Sequence, residues 1–314
     1  MTRFEVLEPG FLTSVQDRGR LGHQHLGFTV GGAVDLRSLA LANHLVGNRW
    51  DAACLEATVR GPLLEFSEPG LVAVVGAEPT VVLNEGAVDP DCAIAVRPGD
   101  RLAVPSMAGA RAYVAFAGGL EVPLFLGSRS TDLVAGVGGV DGRCLRRGDQ
   151  LRATPSPSAL RNRWRLRPAL RPITLHRLHL LCAPGPQLSG FQATARSVLE
   201  ADLYQVSPDC DRMGIRLRGR PVSYSGQEVL SEGQPAGAIQ IPSGGEPIVL
   251  LAARQTVGGY PKIGVVGARG LAELGQALPG DLVTFEFASL EELQLDTRRW
   301  WARLVDPQAC VDPA

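Results

Sequence analysis

Lys262 is the single lysine among the 31 lysine and arginine residues of this chain. It lies in residues 254–264, together with amide, hydroxyl and phenol groups, adjacent glycines and a proline. Lysine is a compact point charge on a flexible stem, whereas arginine is a wide planar fork. A lysine kept in an arginine-rich chain therefore indicates a position that arginine does not serve. Glycine and proline favour a backbone turn close to a polar ligand; the alternative is a hairpin turn with a solvated lysine.

Three glycine-bearing segments collect most of the other polar side chains that could act on a ligand. They are residues 13–35, 211–214 and 231–264. Arginine can bind a carboxylate through two parallel hydrogen bonds, and Asp or Gln can accept an amide N–H. Such groups suit the recognition of a small planar amide or carboxylate. The polar residues in these segments include Gln16, Asp17, Arg20, Asp35, Asp211, Arg212, Glu232, Gln240, Gln255 and Tyr260.

The motif content disfavours several other chemistries. The chain has no Gly-Lys-Ser/Thr phosphate loop, no Gly-x-Ser-x-Gly and no His-Glu-x-x-His. Its 6 cysteines are scattered without zinc-type spacing, so we expect reduced thiols and no metal site. His23 and His25 lie two residues apart, which leaves a metal pair open beside the simpler interpretation of a polar loop.

The charge and hydropathy of the chain disfavour nucleic-acid and membrane partners. A net charge of −1 gives no basic excess for nucleic acid or an anionic membrane surface. The longest apolar runs, such as residues 71–75, are far shorter than the ~20 residues of a membrane span. The first residues show no signal-peptide core. We therefore expect a cytoplasmic protein that acts on a small molecule.

The elements that must position these polar groups are predicted to be mainly short strands. The 37 glycines and 23 prolines give frequent turns between short apolar runs. Strands at this spacing are typical of a barrel or a sandwich. The predicted strands include residues 71–75, 80–83, 93–96, 101–104 and 112–116.

One helix is predicted to interrupt the strands. Asp35 can cap its N-terminus, leucines from Leu36 onward supply the helical period, and Gly47 ends it. Asn43 falls on the apolar face of this helix, where an amide must find partners or lower the stability. Asn43 either bonds a neighbouring loop or contacts a ligand directly.

The length of 314 residues predicts about two domains of ~150 residues each. Residues 153–172 are rich in proline, serine and alternating arginine, which is typical of an interdomain connection. Residues 59–66 and residues 217–224 share a weak internal sequence similarity. We predict a first domain over residues 1–160, a second over 161–290 and a helical tail over 291–314.

A family resemblance is carried by stretches spread along the chain. They are residues 13–20, 32–35, 41–48, 211–217, 231–233, 237–242 and 254–264. In this order they resemble the family of the 5-oxoprolinase C component, also described as allophanate hydrolase subunit 2 and as a biotin-dependent carboxyltransferase-like domain. The resemblance implies a mainly β fold of two tandem cyclophilin-like β-barrel domains with a few short helices.

The resemblance also implies an activity, partners and a cofactor. Members of the family work beside a smaller homologous B component, which is KipI-like, and in bacterial 5-oxoprolinase also with an A component. That complex opens 5-oxoproline (pyroglutamate) to glutamate with ATP. Because this chain has no phosphate loop, ATP is expected at a shared interface between components or on a partner. The chain without its partners is expected to be inactive.

Under this hypothesis the residues in the family motifs receive roles. Positive groups must stabilise the charge that develops when ATP activates the lactam carbonyl oxygen. The catalytic candidates are Arg212, Lys262 and Asp211. The substrate-binding candidates are Asp17, Asp35, Asn43, Glu232, Gln240, Gln255 and Tyr260.

The resemblance leaves two other functions open. One is the carboxyltransferase component of a urea carboxylase-like or allophanate hydrolase system, which needs biotin on a separate carrier because this chain has no Met-Lys biotinylation motif. The other is a non-catalytic regulatory protein. The sequence departs from the family pattern at Asp211, where relatives usually carry Asn, and at Ala253, where they usually carry an acidic residue. The first change adds a charge and removes a donor, which bears on substrate choice. The second either removes one proton-transfer route or only alters an exposed loop.

Overall fold

The computed structural model describes residues 2–155 and 164–313. The chain divides into two compact units. Unit 1 comprises Met1–Leu21, Gly31–Thr174 and Ala302–Ala314, and unit 2 comprises Gly22–Val30 and Leu175–Trp301. The predicted domain boundary between residues 160 and 161 lies outside the described residues.

Short strands make up most of both units. The strands of unit 1, up to the passage into unit 2, are β1 Arg3–Glu8, β2 Ser14–Gln16, β3 Cys54–Thr58, β4 Leu63–Phe66, β5 Gly70–Gly76, β6 Pro79–Leu83, β7 Gly86–Ala87, β8 Ile94–Val96, β9 Arg101–Met107, β10 Arg111–Phe116, β11 Gln150–Arg152 and β12 Trp164–Leu166. The following strands, all but the last in unit 2, are β13 Arg177–Pro184, β14 Tyr204–Val206, β15 Gly214–Arg218, β16 Glu232–Gly233, β17 Ala238–Gln240, β18 Ile248–Leu250, β19 Val257–Gly258, β20 Lys262–Val266, β21 Leu282–Phe287 and β22 Val311–Pro313.

The helices are mostly short. The α-helices are α1 Leu36–Leu45, α2 Ala195–Ala201, α3 Ala268–Leu274, α4 Leu290–Val305 and α5 Pro307–Cys310, and single 3-10 turns occupy Gln24–Leu26, Pro168–Leu170 and Leu188–Gly190. Within the described ranges, none of these helices combines the length and the apolar character needed to cross a membrane.

Unit 1 is built on two antiparallel sheets. Over the described residues their strand orders are β11-β1-β4-β9-β6-β7 and β2-β3-β10-β5-β8. Strand β1 alternates buried and more exposed positions, as expected for a strand with one face on the core. Phe4 of β1 stacks on Phe116 of β10 with ring centroids 4.4 Å apart, so the two sheets share one hydrophobic core. Full burial of such a side chain contributes about 1.5–3 kcal/mol.

Helix α1 of unit 1 begins and ends where its sequence predicts. The carboxylate of Asp35 accepts a hydrogen bond from the Ser38 backbone N–H at 3.0 Å, which satisfies one of the free donors of the first turn. Gly47 follows the helix with φ of 73°, a left-handed conformation that glycine adopts at no steric cost. The helix defined by these two signals packs against β5 and β10 of the same unit.

Unit 2 contains a closed barrel of seven strands in the order β13-β20-β17-β18-β15-β14-β21. The barrel closes between β13 and β21, which run parallel from the pair Arg177 and Leu282 onward, while the other pairs are antiparallel. Tyr204 and Phe285 are buried and meet edge to face at 5.9 Å. Closure pairs both edges of the sheet, which holds each strand in a fixed register.

The predicted mainly β fold is confirmed. The predicted strands coincide with β5, β6, β8, β9 and β10, where valine-rich runs lie between turns. The predicted tail is helical over α4 and α5 and then ends as a strand, because β22 pairs with β12 from Trp164 and Pro313 to Leu166 and Val311.

Candidate functional site

Unit 2 contains a cavity of about 430 Å³ in the wall of its barrel. Small-molecule sites typically measure ~300–1,000 Å³, so the cavity has room for a small ligand. Gln240 of β17 lies opposite Ile248 of β18, and Leu250 of β18 lies opposite Gly214 of β15, so three adjacent strands form one wall. The predicted site residues that line this cavity are Asp211, Gln240, Gln255 and Tyr260.

Asp211 shapes the loop that enters β15. Its carboxylate accepts hydrogen bonds from the backbone N–H groups of Met213 at 2.7 Å and Gly214 at 3.2 Å. A carboxylate that bonds its own backbone two and three residues on stabilises a tight turn. Asp211 therefore lines the cavity while it also fixes the geometry of this loop.

Arg212 follows Asp211 and is partly buried. Desolvation by burial lowers the pKa of its guanidinium to about 10. The group is still a cation at neutral pH, and its weaker hydration strengthens its electrostatic effect on any neighbouring charge. The Arg212 carbonyl accepts a hydrogen bond from the Ala253 backbone N–H at 2.9 Å. Ala253 thus connects the two loops through its backbone rather than through its side chain.

Lys262 and Glu232 form an ion pair. The Lys262 side chain is 2% exposed, whereas that of Glu232 is 41% exposed. Gln187 joins the pair: its Nε2 donates to Glu232 Oε1 at 2.6 Å, and its Oε1 accepts from the Lys262 backbone N–H at 3.1 Å. The hydrogen bond from Lys262 lowers the pKa of the Glu232 carboxyl. Lys262 is therefore a fixed, buried positive charge.

Two glutamines connect the ion pair to the cavity. Gln234 Nε2 donates to the carbonyl oxygens of Glu232 at 3.0 Å and Gly258 at 2.7 Å. Gln240 Nε2 donates to Gln234 Oε1 at 3.0 Å. The Gln234 carbonyl accepts from Arg254 Nε at 2.8 Å, and burial lowers the pKa of that guanidinium. Gln240, which is also the register partner of Lys262 across β17 and β20, is thereby held rigidly.

Three side chains on the cavity wall keep polar groups available for a ligand. Within the described residues, the amide of Gln255, the hydroxyl of Tyr260 and the guanidinium of Arg216 form no side-chain hydrogen bond. Tyr260 is 49% exposed. These groups supply N–H and O–H donors beside the Gln240 amide. The set suits a small ligand that presents both acceptors and donors.

The other three predicted substrate-binding residues belong to unit 1, where each bonds its own unit. Asp17 accepts from Gly19 N–H at 2.8 Å and from the Ser128 hydroxyl at 2.6 Å. Asp35 is the N-cap of α1. Asn43 donates to the Ala52 carbonyl at 2.8 Å, so it holds the loop after α1. Each of these contacts holds the backbone or a neighbouring side chain of unit 1.

Two residues of the network were not predicted as site residues. Gln187 lies 75 positions from Lys262 in the sequence, and nothing in its Pro-Gly-Pro-Gln context indicates the contact. Gln234 directly follows the segment 231–233 that carries the family resemblance. The amide at position 234, next to a family segment and six residues before Gln240, is a sequence signal that could have predicted a site residue.

Two further clefts differ from this cavity in their lining. A cleft of about 1060 Å³ in unit 1 is lined by the glycine-rich residues 136–142 and by Phe4 and Phe125, and it holds none of the predicted residues. A cleft of about 550 Å³ in unit 2 includes Tyr260 in its wall. In the part of the chain that the structure describes, no group of three or more His, Cys, Asp or Glu side chains is placed to hold a metal ion.

Comparison with known proteins identifies the family to which this chain belongs. Residues 26–287 match the family model of the carboxyltransferase domain, subdomain A and B. This chain belongs to that carboxyltransferase-domain family. The carboxyltransferase domain therefore covers the whole of the barrel and most of unit 1, and the resemblance to the 5-oxoprolinase C component is confirmed.

Similar proteins in two bacteria are of nearly the same length as this carboxyltransferase-domain protein. The 5-oxoprolinase C component of Escherichia coli strain K12 is 34% identical over 305 residues, covering 96% of this chain and 97% of that protein. The 5-oxoprolinase C component of Haemophilus influenzae is 32% identical over 290 residues, covering 92% of each.

A larger enzyme contains the same architecture. The crystal structure of the Kluyveromyces lactis urea carboxylase matches with a TM-score of 0.89 and 28% sequence identity. The match covers 99% of this chain but 30% of that one. The carboxyltransferase-domain protein thus spans less than a third of the length of that relative.

Proposed function

We propose that this protein is the C component of an ATP-dependent 5-oxoprolinase, which hydrolyses 5-oxoproline to glutamate together with partner proteins. The observation that carries the proposal is its correspondence over 97% and 92% of the length of two bacterial 5-oxoprolinase C components. The partners are the A component and a smaller, homologous B component. The carboxyltransferase-domain protein on its own has no turnover.

The cavity of unit 2 supports this substrate. 5-Oxoproline presents a ring carbonyl, a ring N–H and a carboxylate. Arg216 can take the carboxylate through two parallel bonds, and the Gln240 amide oxygen can accept the ring N–H. Gln255 and Tyr260 supply donors for the carbonyl oxygen. A lactam acid therefore finds a complementary group for each of its polar atoms.

The chemistry requires activation of a stable amide. The terminal phosphoryl group of ATP would pass to the lactam carbonyl oxygen with release of ADP. One water would then add to the same carbon, so that cleavage of the C–N bond leaves an acyl phosphate with a free amine. A second water would hydrolyse the acyl phosphate to glutamate and inorganic phosphate. ATP binds at an interface with a partner protein, since the chain has no phosphate loop. Arg212 and Lys262 do not line the cavity, so their cationic groups would stabilise the developing negative charge through their electrostatic field. Asp211 holds the Arg212 loop.

Reconstitution tests the proposal. Glutamate release from 5-oxoproline and ATP is measured with the genomic partner proteins, with and without this chain. We expect turnover in the full complex and its loss on omission of this chain. A well-folded full complex that turns over no 5-oxoproline would contradict the proposal.

A second function has its own support, the match to urea carboxylase at a TM-score of 0.89. In that case the cavity would bind urea or a similar small amide, and the carboxyl group would arrive on a biotinylated carrier protein. Carboxyl transfer to urea from a carboxylated biotin carrier, without 5-oxoproline turnover, is the result that favours this function.

A further inference from the structure

The orientation of the Gln234 amide is set by two backbone carbonyls. One end of the amide lies 2.7 Å from the Gly258 oxygen and 3.0 Å from the Glu232 oxygen. Carbonyl oxygens only accept hydrogen bonds, so this end must be the NH₂ group. The other end of the Gln234 side chain is therefore the oxygen.

The orientation of Gln240 follows from that of Gln234. One end of the Gln240 amide lies 3.0 Å from Gln234 Oε1. Because that oxygen accepts, the adjacent Gln240 atom must be Nε2. A half-turn of the Gln240 amide would place two acceptors at hydrogen-bond distance with no proton between them. Turning both amides would instead lose the two bonds to Glu232 and Gly258.

The Gln240 oxygen is left to face the cavity. Gln240 is 2% exposed and lines the 430 Å³ cavity. Its Oε1 accepts no hydrogen bond from the described residues, and it is not among the fully enclosed side-chain atoms without a partner, so it keeps some accessible surface. This oxygen can accept from water or from a ligand, and a ligand that displaces the water must bring an N–H or O–H donor to keep the bond, so a ligand with only acceptors binds less well here.

We infer that Gln234 is a positioning residue that makes Gln240 a fixed hydrogen-bond acceptor, and that the cavity therefore selects ligands with an unsubstituted amide or lactam N–H. N-Alkylated amides and lactones are rejected, because they place a methyl group or an oxygen lone pair against Gln240 Oε1. The inference rests on the proposed function in taking 5-oxoproline as the first ligand.

The test is calorimetric titration of the full chain, alone and with its partner proteins. The probes are 5-oxoproline, its N-methyl derivative, the lactone in which oxygen replaces the ring N–H, urea and tetramethylurea. We expect the N–H ligand to bind about 10-fold to 100-fold more tightly than its matched analogues. Equal binding of 5-oxoproline and its N-methyl derivative would overturn the inference and leave the proposed function standing.

Three variants distinguish a role for the orientation of the Gln240 amide from a general loss of folding. Gln240→Met removes the acceptor, so the affinity ratio between 5-oxoproline and its N-methyl derivative should fall towards one. Gln234→Met frees the Gln240 amide to turn, so the ratio for the lactone should fall as well. Gln205→Met is the matched control, since Gln205 is exposed on β14 and outside the cavity wall, and the ratio should not change. Unchanged affinity ratios in both Gln240→Met and Gln234→Met would overturn the inference.

The remaining outcomes separate the inference from the proposed function. Binding of urea but not of 5-oxoproline, with selection against tetramethylurea, would support the inference and contradict the proposed function. Binding of no probe by the full complex would overturn both, because the cavity would then not be a ligand site for amides.

Discussion

The ammonium of Lys262 is buried, whereas the carboxylate of Glu232 that binds it is 41% exposed. The two partners of this ion pair therefore depend on each other to different degrees. Water can hydrate Glu232 when its partner is removed, but it reaches Lys262 poorly. This asymmetry determines how substitutions at the two positions should differ.

Glu232→Gln is expected to destabilise the protein more than Lys262→Met. The first change leaves a buried ammonium without its carboxylate, which costs about 3–5 kcal/mol. The second leaves a carboxylate that water can solvate, with an expected loss of about 1 kcal/mol. Urea denaturation of the two variants measures the free energies of unfolding. Equal losses, or the reverse order, would contradict the burial of Lys262.

The stability that Glu232 contributes should depend on pH. The hydrogen bond from Lys262 holds the pKa of the Glu232 carboxyl below its usual value of 4.5. A carboxyl with a lowered pKa in the folded state stabilises the protein above the unfolded pKa, and this contribution is lost as the pH falls through the folded pKa. The stability difference between wild type and Glu232→Gln should therefore shrink as the pH falls below 4.5. Glu228→Gln, at an exposed position, is the control, and a difference that is constant with pH would contradict the assignment.

His44 should make unit 1 sensitive to mild acid. Its Nε2 donates to the Leu304 carbonyl at 2.8 Å, and burial lowers the pKa of the ring from 6.5. Because the unfolded chain takes up the proton more readily, stability is unaffected above pH 6.5 and falls as the pH drops below that value. His44→Gln should remove this dependence, and His25→Gln, at an exposed position, should retain it. Denaturant midpoints between about pH 7 and about pH 5 check the prediction; an identical profile for His44→Gln would contradict it.

Arg216→Met should weaken the use of 5-oxoproline by the full complex. The guanidinium lines the cavity, and loss of a charge-assisted pair of bonds to the substrate carboxylate should raise KM about 10-fold to 100-fold. Arg218→Met is the matched control, since Arg218 lies on the same strand and outside the cavity wall. Steady-state kinetics with both variants measures the effect. Equal KM values would place the substrate carboxylate elsewhere.

The secondary structure was predictable wherever local signals suffice. Strand β5 is a valine-rich run between glycines, and α1 carries Asp35 before its first turn and Gly47 after its last. Closure of the barrel is different, because the parallel pairing of Arg177 with Leu282 joins residues more than a hundred positions apart. No local sequence pattern predicts which distant residues pair. The family resemblance implied a barrel, but the register of its strands comes from the structure.

The candidate site was predictable in part for the same reason. Gln240 and Tyr260 stand in glycine-bearing segments that a ligand-binding loop requires, and both line the cavity. The role of Gln234 follows from its distances to the carbonyl oxygens of Glu232 and Gly258. Every residue has a backbone carbonyl, so the sequence does not show which of them a side chain will bond. Asp17 offers the same carboxylate chemistry as Asp211, but its bonds to Gly19 and Ser128 emerge only from the fold of unit 1.

In the proposed 5-oxoprolinase, the cavity of unit 2 holds the substrate. The most direct test is kcat/KM for 5-oxoproline in the full complex that carries Gln240→Met, compared with the complex that carries Gln205→Met. We expect a loss of about 100-fold for Gln240→Met, because the substrate N–H loses its acceptor in the buried site, and no loss for Gln205→Met. Equal values for the two complexes would contradict the placement of the substrate in this cavity.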